Sequence, residues 1–463
     1  MTEVLIPASD QTVIPVHAVR RDGLEALLQR RGARVRTQAK TQAFTAAAGQ
    51  VCLIGRGDGQ VERVLFGLGD QDRPNPMLFR GLAAKLPAGD YAIAAGLRNV
   101  APLMIAVAWS LGQHAFDRYK PRPDRARPRL VTGPGTDLAT ARRIAHACAL
   151  ARDMIDAPAN DMGPLQIETI AREIAEAYGA SLSVITGEDL HDANYPAVHA
   201  VGRAAGPGRA PRMIELTWGD AGHPLIALVG KGVVFDTGGL DLKPSAGMRL
   251  MKKDMGGAAH ALALGRMIMD AGLPVRLVVL VPAVENAVSG DAMRPGDIIA
   301  TRKGLSVEIG NTDAEGRLIL ADALARAAEL DPELTLDFAT LTGAARAALG
   351  PQLVPFYTAD DGLARGIEAA AVRTTDPVWR MPLWPGYAEA VEGDISDLRN
   401  DPEGWAQAGS VTAALFLQRF APSLGWVHFD IFAWNPKSRP GWPVGAEAQT
   451  IRALYDELER RYR

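Results

Sequence analysis

The sequence predicts an α/β protein of two domains. The C-terminal domain is built on a largely parallel central sheet flanked by helices, and the N-terminal one is a smaller α/β domain. Three observations predict this. The chain has 463 residues, too many for one ordinary core, because single cores stop growing at roughly 250–300 residues. Apolar runs of strand length alternate with longer helical patterns through the second part, the order that a parallel sheet requires. A charged stretch with three prolines, Arg118 to Arg129, separates the parts, and prolines there forbid a regular helix.

The elements follow in chain order. Val51 to Ile54 and Val61 to Leu68 read as strands, with Asp58-Gly59 between them as a strong hairpin signal. The Arg56-Gly57-Asp58 triplet in that turn reads as turn chemistry, not as an adhesion ligand. Tyr91 to Ala95 is a further strand and Leu103 to Phe116 a helix. The first domain is placed at 1–134. Leu138 to Ile155 has an amphipathic, Ala-rich pattern and forms a linking helix within 135–156. Pro158 and the Asn160 to Pro164 stretch stop it and cap the next helix. The second domain is placed at 157–463. Its strands are Leu225 to Val229, Val275 to Val281, Leu305 to Ile309, Leu334 to Phe338 and Trp426 to Ile431. Its helices are Gly256 to Ala271, Gly316 to Leu330 and Val411 to Phe420. In such sheets sites lie beyond the C-terminal strand ends, and Lys231, Asp313 and Glu315 each come just after a predicted strand.

Composition excludes several classes. Hydrophobic content of 48% and charged content of 22% are those of an ordinary globular protein. A net charge of −3 argues against nucleic acid as an obligate partner. The two cysteines, Cys52 and Cys148, form neither a disulfide framework nor a CxxC site. The start of the chain lacks a basic segment followed by an apolar one, and no apolar run is long enough to span a bilayer. No membrane partner is expected, and the cytoplasm is the expected location.

The chemistry lies in two short clusters. VGKGVVFDTGGLDLKPSAGMRLMKKDMGGAA carries Lys231, Asp236, Lys243 and Asp254; NTDAEGRLILADAL carries Asp313, Glu315 and Arg317. Acids in Gly-rich, otherwise apolar sequence are costly to bury unless a cation neutralises them. A pair of divalent ions answers this, and metal-assisted hydrolysis is the natural reaction. Hard oxygen ligands with one amine suit zinc, manganese or magnesium. The histidines form no HExxH or His/Cys pair, and His260 and His428 read as packed or surface residues. Asp236 precedes Thr237-Gly238-Gly239, where glycine permits a tight turn at a ligand. Lys231 coordinates a metal only when neutral, whereas Lys243 and Arg317 stay charged and suit an anion or a developing oxyanion.

These residues resemble a family. NTDAEGRLILADAL matches the signature of the leucyl aminopeptidase (M17) family. VGKGVVFDTGG, LDLKP, MKKDMGGAA and ATLTGA are similar to its other blocks, in its order and spacing. The resemblance covers roughly Asp156 to the C-terminus. It implies a dimetal aminopeptidase that removes the N-terminal residue, leucine-like by preference, from a peptide substrate with a free N-terminus through a metal-bridging water. It implies that Asp236 and Glu315 bridge two zinc or manganese ions. Lys231 and Asp254 would complete one metal site and Asp313 the other. Lys243 would polarise the scissile carbonyl. Arg317, with backbone groups of Ala314, Gly316 and Leu341, would hold a bicarbonate acting as base. Met251, Thr340 and Gly343 would line the subsite for the first side chain. A homohexamer is also implied. Thr237 stands where Ser is commoner, and Asp241 is an unusual acid expected to face solvent.

Two alternatives differ in class. Arg20, Arg21, Arg30, Arg31, Arg34 and Arg36, with the Arg118 to Arg129 stretch, raise an additional DNA-binding or regulatory role; ordinary solvated surface is the expectation. A phosphoesterase would lean on histidine ligands, which these clusters lack.

Overall fold

The computed structural model describes residues 3–72, 75–94, 97, 100–121, 126–402 and 407–463. Ala95 and residues 122–125 of the proline-rich stretch lie outside the described residues. The chain forms two compact units, Met1–Ala149 with Asn435–Val444, and Leu150–Trp434 with Gly445–Arg463. The helix Leu138–Asp156 runs from one unit into the other. The segment Asn435–Val444 departs from the contiguous division at 157–463. It packs with the first unit, where Pro440 lies against Gly49 and Gly441 against Met77. Tertiary contacts, not local sequence, decide where so short a loop goes.

The first unit is a six-stranded sheet of β1 (Leu5–Ile6), β2 (Val13–Val19), β3 (Val51–Gly55), β4 (Val61–Gly67), β5 (Gly89–Ile93) and β6 (Pro128–Val131). Its order is β1-β6-β5-β2-β4-β3. All neighbours are parallel except the β3–β4 hairpin, which the Asp58-Gly59 turn closes. The proline-rich stretch runs straight into β6, with Pro128 at the first strand position, where a missing N–H is tolerated. Three of the arginines that raised a nucleic-acid surface are paired with acids of this unit. Arg20 meets Asp22 and Asp72, Arg21 meets Asp70, and Arg34 meets Glu62.

The second unit holds the larger sheet. Its strands are β7 (Ser181–Thr186), β8 (Arg212–Trp218), β9 (Leu225–Gly230), β10 (Gly232–Asp236) and β11 (Arg276–Asn286). Strands β12 (Ile298–Ala300), β13 (Ser306–Glu308), β14 (Leu334–Ala339), β15 (Val354–Tyr357), β16 (Val378–Arg380), β17 (Leu398–Arg399) and β18 (Trp426–Asp430) follow. The main sheet runs β16-β15-β18-β14-β9-β11-β8-β7, with β10 also paired to β11. The central strands β11, β9, β14 and β18 are parallel; β8, β7 and the β15–β18 pairing are antiparallel. One expectation is corrected. The strand around Leu305 to Ile309 forms as β13 but belongs to a separate small sheet with β12 and β17. Asp313 and Glu315 therefore do not follow a strand of the central sheet.

Alternation along the strands separates two buried faces. Ala227, Val229, Val278 and Leu280 share a core with Leu318, Leu320 and Leu324 of the helix Gly316–Glu329. The intervening Leu228, Leu277 and Val279 meet Gly265 of the helix Gly256–Ala271 on the other side. Each fully buried Leu or Val there contributes about 1.5–3 kcal/mol. Among the described residues no helix is long and apolar enough to cross a membrane.

Both histidines of interest are packed. His428 Nδ1 lies 2.5 Å from Asp337 Oδ1, and Trp426 Nε1 donates to Asp337 Oδ2 at 2.7 Å. His260 is fully buried; Nδ1 donates to the Gly256 carbonyl at 2.6 Å and Nε2 accepts from Gln449 N at 2.9 Å. That pairing fits the neutral ring alone, and burial pushes His260 down to about 4. The unfolded chain takes up this proton near 6.5, before the folded one does. The stability that neutral His260 provides is present above 6.5 and is lost as pH falls toward 4. The expected slope from this group is at most ~1.4 kcal/mol per pH unit. Denaturant unfolding across that window shows a shallower slope for His260→Gln than for the unsubstituted protein; identical slopes refute the assignment.

Candidate active site

All the residues expected at the site line one cavity of about 490 Å³, entirely within the second unit. Four separate pieces of chain bring them there. Lys231 interrupts an otherwise continuous strand: β9 and β10 pair with successive parts of β11 on either side of it. Lys231 N donates to Phe338 O at 2.9 Å, and Ala258 N donates to Lys231 O at 2.8 Å. Asp236 ends β10, and Gly238 and Gly239 follow with φ of +90° and +65°. That left-handed backbone suits glycine and turns the chain back toward Asp313, whose carboxylate lies 3.1 Å from where a Gly238 Cβ would stand. Met251 opens the turn Met251–Lys253, directly before Asp254. Asp313, Ala314 and Glu315 lead into the helix Gly316–Glu329, whose first turn carries Arg317. Thr340 and Leu341 follow β14, and Gly343 opens the helix Gly343–Leu349.

The acids crowd together. One carboxylate oxygen from each of Asp236, Asp313 and Glu315 lies within 4.8 Å of the others. Lys231 Nζ stands 2.8 Å from Asp254 Oδ2 and 2.9 Å from Glu315 Oε1, and donates to the Thr340 carbonyl at 3.1 Å. Lys243 Nζ is 2.8 Å from Asp236 Oδ2 and also pairs with Asp313. Burial and then the Asp236 charge push Glu315 up to about 8 and Asp313 up to about 6. Burial opposes charge on Lys231, but Asp254, Glu315 and Asp236 outweigh it and keep the amine protonated.

The donor set fits divalent metal. Asp254 Oδ2 and Glu315 Oε1 are buried and lack a partner of hydrogen-bond geometry, although Lys231 lies close. Lys231 is the one ammonium that Asp254 and Glu315 share, and carboxylates crowded and buried to this degree are costly unless more positive charge meets them. A buried guanidinium lines the same cavity. Arg317 is 8% exposed, and its Nε and Nη1 have no hydrogen-bond partner. Burial pushes Arg317 down to about 10, still well above neutral pH.

Several positioning residues escaped the sequence reading. Asn286 ends β11 and donates to Asp236 Oδ1 at 2.8 Å and to the Thr312 carbonyl at 3.1 Å. Asp430 ends β18; its Oδ1 accepts from Leu341 N and Thr342 N, each at 3.2 Å. Both sit at C-terminal strand ends, a signal the sequence offers only once strand lengths are known. Asp241, expected to face solvent, is an exposed residue with a bound oxygen: its Oδ2 accepts from Thr312 N at 2.7 Å and braces the loop before Asp313. Lys253, Arg346 and Phe432 also line the cavity.

A cavity of crowded, mostly buried carboxylates beside the strand ends of an α/β sheet suits a metal-dependent hydrolase. Comparison with known proteins narrows the class. Residues 149–455 match the cytosol aminopeptidase family, catalytic domain, and residues 14–131 match the M17 aminopeptidase, N-terminal domain. The chain belongs to the cytosol aminopeptidase family, and it is a metallo-aminopeptidase that hydrolyses peptides from the N-terminus. A probable cytosol aminopeptidase of Syntrophotalea carbinolica is 41% identical over 369 residues, covering 76% of this chain and 73% of the relative. One from Geobacter sp. strain M21 is 34% identical and covers 91% of each. The crystal structure of cytosol aminopeptidase from Coxiella burnetii superposes with a TM-score of 0.92 at 41% identity, covering 99% of this chain and 100% of that one. The bottromycin maturation enzyme BotP in complex with Mn gives a TM-score of 0.86 at 32% identity, covering 97% and 99%.

Proposed function

We propose that this aminopeptidase works with two divalent ions, zinc or manganese, held by Lys231, Asp236, Asp254, Asp313 and Glu315. The observation that carries the reading is the meeting of the Asp236, Asp313 and Glu315 carboxylates within 4.8 Å, with buried Asp254 tied to the same cluster through Lys231. Asp236 and Glu315 would be shared between the two ions, Lys231 and Asp254 would complete one site, and Asp313 the other. Bound there, the pair supplies a water that ionises near neutral pH and a Lewis acid for the carbonyl. Lys231 would serve as a ligand only as the neutral amine, its proton released to solvent as the ions enter. Lys243 keeps its proton and faces the negative charge that develops on the scissile carbonyl oxygen. Arg317, with backbone groups of Ala314, Gly316 and Leu341, would hold a bicarbonate, which would supply a general base there. Met251, Thr340 and Gly343 line the subsite of the first side chain, where leucine-like residues fit. The relatives' names point to the cytosol and to peptide substrates, and the family resemblance to a homohexamer.

The test is restoration of activity. Metal-stripped protein is expected to turn over no aminoacyl anilide, and manganese or zinc to restore leucyl anilide turnover. A phosphate ester stays uncleaved in both states. Full turnover by protein whose metal content is nil rejects the reading.

A further inference from the structure

The cavity holds a lysine for which the reading above has no task. Lys253 stands on the turn Met251–Lys253 and lines the cavity. It is 5% exposed, and its ammonium makes no hydrogen bond or ion pair among the described residues, although Asp254 and Asp430 attract it from beyond ion-pair distance. It rests over the Phe432 ring, 5.1 Å from the centroid. Arg346 lies over the same ring at 5.4 Å, but its guanidinium is committed to Asp430, with Nη2 at 2.6 Å from Oδ1. Lys231 and Lys243 are paired with acids, and Arg317 has its anion in the proposed reaction. A cation–π contact is worth about 0.5–2 kcal/mol, well short of what removing an ammonium from water costs. A methionine would fill the same space without that cost, so the fold alone does not account for the charge.

Its surroundings say what it meets. Met251 is on the same three-residue turn; Met251, Lys253 and Gly343 line one cavity, and a Cβ on Gly343 would touch nothing within 4 Å, so that cavity has open space on its Gly343 side. We infer that Lys253 is a specificity-determining residue: the subsite accepts an acidic first side chain, whose carboxylate pairs with Lys253 Nζ while its methylenes lie against Met251 and Phe432. This rests on the proposed reading that Met251, Thr340 and Gly343 line the first-side-chain subsite. It widens the substrate class from leucine-like residues to N-terminal glutamate and aspartate. A site built around a charge also rejects the neutral isostere, because the buried partner is then left unpaired.

The experiment compares glutamyl, glutaminyl and leucyl anilides on the metal-loaded protein. The first two differ in charge at almost constant shape. The expected kcat/KM for the glutamyl substrate exceeds that for the glutaminyl one by at least about tenfold. The ratio falls toward one in Lys253→Met and is partly kept in Lys253→Arg. A ratio at or below one in the unsubstituted protein overturns the inference, and so does a ratio that Lys253→Met leaves unchanged. The unsubstituted ratio decides the matter by itself if Lys253→Met does not fold. Leucyl turnover without any glutamyl preference sinks this inference alone; failure of all three substrates sinks the site reading and the inference with it.

Discussion

Glu315→Ala abolishes leucyl anilide turnover whether zinc, manganese, cobalt or magnesium is supplied. The expected fall in kcat/KM is at least about a thousandfold, or ~4 kcal/mol. Glu315 is 1% exposed and shares its surroundings with Asp236, Asp313 and Lys231. No other described carboxylate stands where its Oε1 does, so the loss cannot be covered by choosing another ion. Asp313→Ala has the same outcome. Arg317→Ala behaves differently: turnover slows by about a hundredfold while metal content, measured by elemental analysis after dialysis, is unchanged. Full activity in Glu315→Ala would falsify the assignment of the site.

Gly257→Ala lowers folding stability by about 3 kcal/mol or more, read as a drop in the urea midpoint. Its Cβ would lie 2.1 Å from Phe338 O and 2.6 Å from Lys231 N. Both atoms are backbone and already joined by the Lys231 N–H to Phe338 O bond, so neither moves aside without breaking the sheet. Gly290→Ala is the control. Nothing lies within 4 Å of its Cβ and its φ is not positive, so it shifts stability by at most about 0.5 kcal/mol. Equal midpoints for the two variants would show that helix Gly256–Ala271 does not need its close approach to β14.

The chemistry-bearing residues were legible because their requirements are local. Acids flanked by glycine in apolar sequence, and a DxE pair opening a helix, are recognisable without knowing where the chain goes. Helices Gly256–Ala271 and Gly316–Glu329 were legible for the same reason: long periodic patterns have caps that glycine and acids mark. What stayed hidden depends on distant pairing. Strand β13 has the pattern of a central strand, and only its partners β12 and β17 place it in a small sheet. Strands β7 and β8 went unread because half-buried antiparallel strands leave weak alternation. Asn286 and Asp430 are ordinary polar residues in sequence; they matter because β11 and β18 end where the cavity begins. Asp241 reads as a surface acid until Thr312, 71 residues away, comes to meet it.

The break between β9 and β10 at Lys231 has one more consequence. The amine-bearing residue is stitched by its own peptide group to β14 and to the start of a buried helix, instead of riding on a mobile loop. Its amide hydrogen can exchange with solvent only when the whole unit opens. Deuterium uptake at Lys231 therefore tracks global unfolding, and anything that loosens the core deactivates the enzyme in the same event.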